Sequence, residues 1–461
     1  MFKNLRKRAI STKMLIMKRD ITNKLAIWKN SNDRKPLILT GARQVGKTWA
    51  LKEFGRQYYK NTAYIMFEKN ENMKKLFEGS LSPKELLPFI QAEAGTPIDP
   101  KDTLIIFDEI QAVPNAITSL KFFNEEASEY SIIAAGSTLG VTLHNGGSFP
   151  VGKVDFMTLY PMTFLEFLDA SGEEQLVNLI KNIKSLSSIN TFHEKLEKYL
   201  RQYFLVGGMP EVVNKYIETG SFENARIVQE RLLDSYKQDF SKYATPLTAA
   251  KLQMLWQSIP AQITKENRKF IYGAVKNGAR ARDFEVTIEW LIDSSLVNKV
   301  NRVTLPKQPL KAYEDFGAFK LFLHDIGLLG AMTNVSSKAI VDDTTIYTEF
   351  KGALAEQFVC QELVASGEKI FYWSADDSRQ EIDFLIENND GIIPIEVKSG
   401  KNLTSISFNK FIKINQSKYG YKVSNRPFVN NRKIINLPLY LTFTISKSAS
   451  QKVPLSRKLD D

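Results

Sequence analysis

GARQVGKT, residues 41–48, is the stretch on which the reading of this chain turns. It fits the pattern GxxxxGK[ST], and its flanks supply what that pattern needs. PLILT before it (residues 36–40) is a short apolar run that reads as a buried strand. WALKEFGRQYY after it repeats Trp49, Leu51, Phe54 and Tyr58 at helical spacing. A glycine turn between strand and helix lets backbone N–H groups curl round a phosphate, and the helix N-terminus adds its positive dipole end. Gly41, Ala42, Arg43, Gln44, Val45, Gly46 and Trp49 are therefore expected to line a nucleotide site. Lys47 supplies a mobile ammonium for the β- and γ-phosphates, and Thr48 offers its hydroxyl to Mg²⁺. ATP and Mg²⁺ are the expected ligands.

Outward from the loop, TLIIFDEIQ (residues 103–111) reads as a second buried strand. It delivers Asp108 to a strand's C-terminal edge, where a carboxylate holds the metal's water shell. Glu109 follows, placed to take the proton from an attacking water, so hydrolysis is expected rather than binding alone. TAYIMFE (62–68) and SIIAAGS (131–137) fit the same sheet. Ser137, with Thr138 after it, either senses the γ-phosphate or caps a helix. Strands near 36, 62, 103, 131 and 154 with helices between give a three-layer α/β fold on a parallel sheet.

Composition bounds the rest. The 461 residues suggest about three domains. A 43% hydrophobic content excludes a disordered or fibrous chain. A single cysteine, Cys360, excludes a disulfide framework and fits a reducing cytosol, so a cytoplasmic location is expected. With three histidines besides, a Cys/His zinc site is excluded. No apolar run approaches the ~18 residues of a membrane helix.

GARQVGKT and LIIFDEIQ, followed by YPMTFLEFL (160–168) and LVGGMPEVV (205–213), resemble a large prokaryotic family of AAA-type ATPases with a C-terminal domain of unknown function. The likeness continues through GARARDFEVTIEWL (278–291), FKLFLHDIGLL (319–329), EIDFLI and IEVKSG. It implies a P-loop ATPase core at 20–170 behind a basic leader at 1–19, and a helical lid at 171–248. It leaves a homo-oligomer and a monomeric switch both open. Such ATPases usually carry Gly-Arg before the last strand of the core, and Gly152-Lys153 stands there in this chain. Lysine keeps the charge but loses the planar fork, so a finger acting on a neighbouring subunit would fall to Lys153.

Residues 249–340 read as a winged-helix-like unit, with VNKVNRVTLP as its β-wing. Arg268, Lys269, Lys276, Arg280 and Arg282 either touch DNA phosphates or pair within the molecule. Residues 341–461 carry a second constellation. EFKGALAEQFVCQELVAS (349–366) is an amphipathic helix with Glu356 among its apolar positions. EIDFLIENNDGIIPIEVKSG (381–400) reads as two strands around a turn at 388–391. Glu396 and Lys398, two apart, share a strand face, and Asp383 on the preceding strand is able to meet them. Two carboxylates and a lysine suit Mg²⁺-dependent phosphodiester hydrolysis, with Asp383 and Glu396 on the metal and Lys398 on the water. The set resembles the PD-(D/E)xK restriction-endonuclease-like fold, which puts Glu356 on the family's helix and Ile382-Asp383 in place of Pro-Asp. A working nuclease and a non-cleaving scaffold both remain open.

The expected function is an ATPase whose nucleotide state gates a DNA-directed nuclease-like domain; the alternative is a nucleotide-dependent switch that binds partners without cutting. Charge supports a nucleic-acid partner only locally. The formal net charge is +11, but seven Lys/Arg lie in residues 1–19 and thirteen from Lys398 to Lys458, leaving the body acidic. Lys410, Lys413, Lys418, Lys422, Arg426, Arg432 and Lys433 interleave with Phe408, Phe411, Tyr419, Tyr421 and Phe428, a strip expected to track phosphates and stack bases.

Overall fold

A computed structural model describes residues 17–137, 150–183, 185–265, 268–336, 348–375, 380–398 and 406–446. The leader up to residue 16, Thr138 and the strip residues at 399–405 and 447–461 lie outside them. β1 (Leu37–Thr40), β2 (Asn61–Met66), β3 (Thr103–Asp108), β4 (Ser131–Ala135) and β5 (Asp155–Thr158) form a sheet in the order β2-β3-β4-β1-β5. Every pair in it is parallel. Residue alternation sends Leu104 and Ile106 into one core, and Ile105 and Phe107 into another on the opposite face. Burial on both faces explains why these strands read as unbroken apolar runs.

The chain turns from β5 into the helix Phe164–Ala170, whose start is fixed by a Thr163–Glu166 capping box. Helices Glu174–Asn182, His193–Val206, Pro210–Thr219, Phe222–Tyr243 and Pro246–Ile263 follow. At the His193–Val206 terminus the backbone needs glycine. A Cβ on Gly208 would lie 2.1 Å from the Met162 carbonyl oxygen, and the two residues bond at 2.7 Å.

A second sheet holds β6 (Val297–Val303), β7 (Glu314–Leu323), β8 (Phe371–Ser374), β9 (Glu381–Asn388), β10 (Gly391–Lys398), β11 (Gly420–Ser424), β12 (Val429–Asn431) and β13 (Ile434–Pro438). Its order is β12-β13-β11-β10-β9-β8-β6-β7. This corrects the expectation of a separate winged-helix unit ending at 340. The stretch expected as a wing is β6, a strand inside the C-terminal sheet, because it pairs β8 through Arg302–Tyr372 and Val303–Trp373. An unpaired β6 edge would otherwise leave its backbone groups open. The helix Thr348–Ala365 packs on this sheet and sends Phe358 into an aromatic cluster with Phe164 and Tyr203. ATPase core, helices and second sheet thus share one apolar core.

Candidate nucleotide site and the C-terminal charge cluster

The loop between β1 and the helix Lys47–Tyr58 bends through Gly41, Gln44 and Gly46, which hold φ of 138°, 64° and 97°. Its carbonyls are pinned from behind. Lys47 Nζ donates to Gly41 at 2.7 Å and Ala42 at 3.0 Å, Tyr236 Oη to Arg43 at 3.1 Å, and Arg19 Nη1 to Val45 at 3.1 Å. Carbonyls held outward leave the N–H side of the loop for an anion. Ala42 and Val45 are buried and contribute backbone only. Burial pushes Lys47 down to about 8, against the opposing pull of Glu109 and Asp108.

Asp108 ends β3, one strand removed from β1, and Thr48 spans that gap. Its Oγ1 donates to Asp108 Oδ2 at 2.7 Å, and Tyr64 Oη donates to the same oxygen at 2.9 Å. Glu109 takes a left-handed backbone (φ 52°) that turns its side chain off the strand, where Oε2 accepts from Gln111 Nε2 at 2.5 Å and Ser137 Oγ at 3.4 Å. Arg43, Gln44, Gly46, Lys47, Thr48, Trp49, Glu109 and Ser137 line one cleft of about 590 Å³, joined by Met17, Arg19 and Pro210. A hydroxyl and a carboxylate side by side, with a buried ammonium across the loop, fit Mg²⁺ and ATP.

Sequence reading missed three of these supports. Arg19, counted in the leader, is a buried residue that clamps the loop: besides Val45 it donates to Tyr160 O at 2.6 Å and Glu166 Oε1 at 3.1 Å. Asp239 and Tyr236 come from the helix Phe222–Tyr243, and Asp239 pairs with the Arg43 guanidinium. None carries a local signal: Tyr236 and Asp239 reach the loop from almost two hundred residues away, and Arg19 joins it to Tyr160 and Glu166. Lys153 precedes β5 and pairs with Glu125 at 2.9 Å. Register sets Asp155 opposite Leu37, so Lys153 lies at the sheet end away from the loop, about 13 Å of strand from Gly41.

In the second sheet, Asp383, Glu396 and Lys398 do come together. Lys398 Nζ lies 2.7 Å from Glu396 Oε1, and Asp383 Oδ2 accepts from the Val397 amide at 2.7 Å. Glu356, fully buried, faces cations instead of an open cavity: Lys320 Nζ at 3.1 Å and the Arg268 guanidinium. Lys320 also reaches Glu381 Oε1 at 2.5 Å, and burial raises that carboxyl. Lys422 stands in register with Glu396 on β11, held below the usual lysine range by burial. Lys398 and the Val397 amide each occupy one oxygen of Glu396 and Asp383, while Glu356 is turned to Lys320 and Arg268. Among the described residues no group of three or more His, Cys, Asp or Glu is placed to hold a metal. Arg268 turns inward, which removes it from the DNA-facing set. Phe408, Phe411, Tyr419, Tyr421 and Phe428 are all buried, so base stacking by the C-terminal strip is corrected to core packing. Lys410, Lys413, Arg426, Arg432 and Lys433 remain exposed.

Loop, strand order and acid pair define a P-loop ATPase. Residues 33–168 match the AAA domain family, and the chain carries an AAA-type, ATP-binding ATPase domain. Residues 197–339 and 351–440 match two domains of unknown function (DUF8612 and DUF4143). No curated protein matches the sequence. Similar solved structures include a Walker-type ATPase of Pyrococcus abyssi (15% identity, 69% of this chain and 96% of that one, TM-score 0.39). Cdc6p of Pyrobaculum aerophilum (12%, 73% and 97%, TM-score 0.25) and the Aeropyrum pernix Orc1 protein in complex with DNA (13%, 68% and 90%, TM-score 0.28) are also similar. No helix among the described residues is long and apolar enough to cross a membrane.

Proposed function

We propose that this chain hydrolyses ATP and uses its nucleotide state to switch a C-terminal domain that binds a partner without cutting it. Hydrolysis would fall to Lys47 on the phosphates, Thr48 and Asp108 on Mg²⁺, and Glu109 as the base. The supporting observation for a non-cleaving domain is the pairing of buried Glu356 with Lys320 and Arg268. Nucleic acid is the partner class suggested by the exposed Lys410, Lys413, Arg426, Arg432 and Lys433. The gated nuclease is the second reading, favoured by the meeting of Asp383, Glu396 and Lys398 on the adjacent strands β9 and β10. A role for Lys153 on a neighbouring subunit belongs to the same proposal, as does assembly into a homo-oligomer.

One assay separates the readings: DNA cleavage with Mg²⁺ or Mn²⁺, with and without ATP, for wild type, Lys47→Ala and Lys398→Ala. ATP turnover lost in Lys47→Ala, with no cleavage by any protein, supports the switch. Cleavage that disappears in Lys398→Ala overturns it in favour of the nuclease. ATP turnover unchanged in Lys47→Ala would refute the assignment of the loop.

A further inference from the structure

Between the nucleotide loop and the C-terminal charge cluster lies a buried hydroxyl with one hydrogen and two acceptors. Tyr236, 1% exposed on the helix Phe222–Tyr243, sits 3.1 Å from the Arg43 carbonyl oxygen and 3.3 Å from His324 Nε2. His324 is itself buried, and its Nδ1 lies 3.0 Å from the Leu296 carbonyl oxygen. A carbonyl only accepts, so Nδ1 carries the ring hydrogen. Burial pushes His324 down to about 4, which keeps it neutral and makes Nε2 an acceptor. Tyr236 must donate in both directions, and it has a single hydrogen to give.

Each acceptor belongs to a different centre. Arg43 is anchored to the same helix twice, by its carbonyl to Tyr236 and by its guanidinium to Asp239. An arriving phosphate competes with Asp239 for that guanidinium, and it draws Lys47 off the neighbouring Gly41 and Ala42 carbonyls. His324 directly follows β7, four residues beyond Lys320, so both lie on one face of the strand line. Gln357 grips the end of β7 in both directions, accepting from Leu323 N at 3.0 Å and donating to Leu323 O at 2.6 Å. Its chain neighbour is Glu356, the partner of Lys320. His324 is thus connected, through β7 and through Leu323–Gln357, to both members of the buried Lys320–Glu356 pair.

We propose that the Tyr236 hydroxyl relays nucleotide state to the C-terminal cluster, its one hydrogen serving Arg43 when the loop is empty and His324 when the loop holds ATP. This rests on the switch reading above and names its path. The two acceptors are alternatives, so the relay has two discrete states rather than a graded response.

Hydrogen exchange on the full chain, with and without saturating Mg²⁺ and a non-hydrolysable ATP analogue, tests the relay, with calorimetry reporting binding. In wild type, the analogue changes exchange in peptides covering Glu314–Leu323 and Glu381–Asn388. His324→Phe keeps the analogue affinity within about twofold but loses that change. Tyr236→Phe, which breaks the relay from the other side while keeping the ring, loses it too, and covers the case in which His324→Phe does not fold. Normal binding with no distant change in wild type overturns the relay alone. So does a full change surviving in either folded variant. No binding by wild type overturns the ATPase reading, and the relay with it.

Discussion

Lys47 is the residue whose environment makes the sharpest claim on solution behaviour. Its ammonium is buried against loop carbonyls, and burial brings it down to about 8. Below that pH the unliganded site holds the ammonium that the phosphates need; above it Lys47 is neutral and binding must take up a proton. ATP affinity is therefore expected to stay level up to about pH 7 and to weaken toward about tenfold per pH unit above 8. Calorimetry in buffers of differing ionisation enthalpy would show the proton uptake rising over the same window. Lys47→Arg should flatten the profile even where it lowers affinity, because arginine stays charged. A profile level to pH 9.5 in wild type contradicts a depressed lysine.

At the scale of elements, β7 carries the argument. Its FKLFL stretch is an apolar run interrupted by Lys320, and the structure places that lysine 1% exposed between Glu356 and Glu381, with the Tyr372 ring 4.9 Å away. Removing one member of a buried pair leaves the other without compensation. Lys320→Met is expected to cost about 3–5 kcal/mol in urea unfolding. Adding Glu381→Gln, which removes the buried charge that Lys320 leaves behind while Glu356 keeps Arg268, should recover part of that loss. If Lys320→Met alone proved neutral, the pair would not be a structural tie. Nothing local marks Lys320 as special except a charge inside FKLFL, which was the one signal available.

The whole molecule is joined by its second sheet and by a common core. Because β8 pairs with β6, a fragment beginning at 341 would expose the β8 edge and strip apolar cover from the helix Thr348–Ala365. Such a fragment is expected to aggregate or to lack cooperative thermal unfolding, whereas one beginning at 294 keeps β6 and β7 and should retain strand circular dichroism. Equal cooperativity in both would show that the β6–β8 pairing is dispensable. The basic strip is also a whole-molecule matter. Its lysines and arginines were countable in the sequence, but its aromatics alternate with them because strands and a helix bury one side.

The sequence by itself determined the nucleotide site: GARQVGKT, LIIFD and the residues between them are local patterns of strand, turn and helix, and the chemistry of phosphate binding is written in consecutive residues. It also supplied the β9–β10 hairpin and the shared face of Glu396 and Lys398, which follow from a period of two. Only the tertiary structure decided what surrounds those groups. Arg19, Tyr236 and Asp239 brace the loop, and Lys320 and Arg268 fill the acidic cluster, from places far along the chain. Burial and charge pairing are properties of the packed interior, where partners are chosen by proximity in space and no spacing in the chain records them.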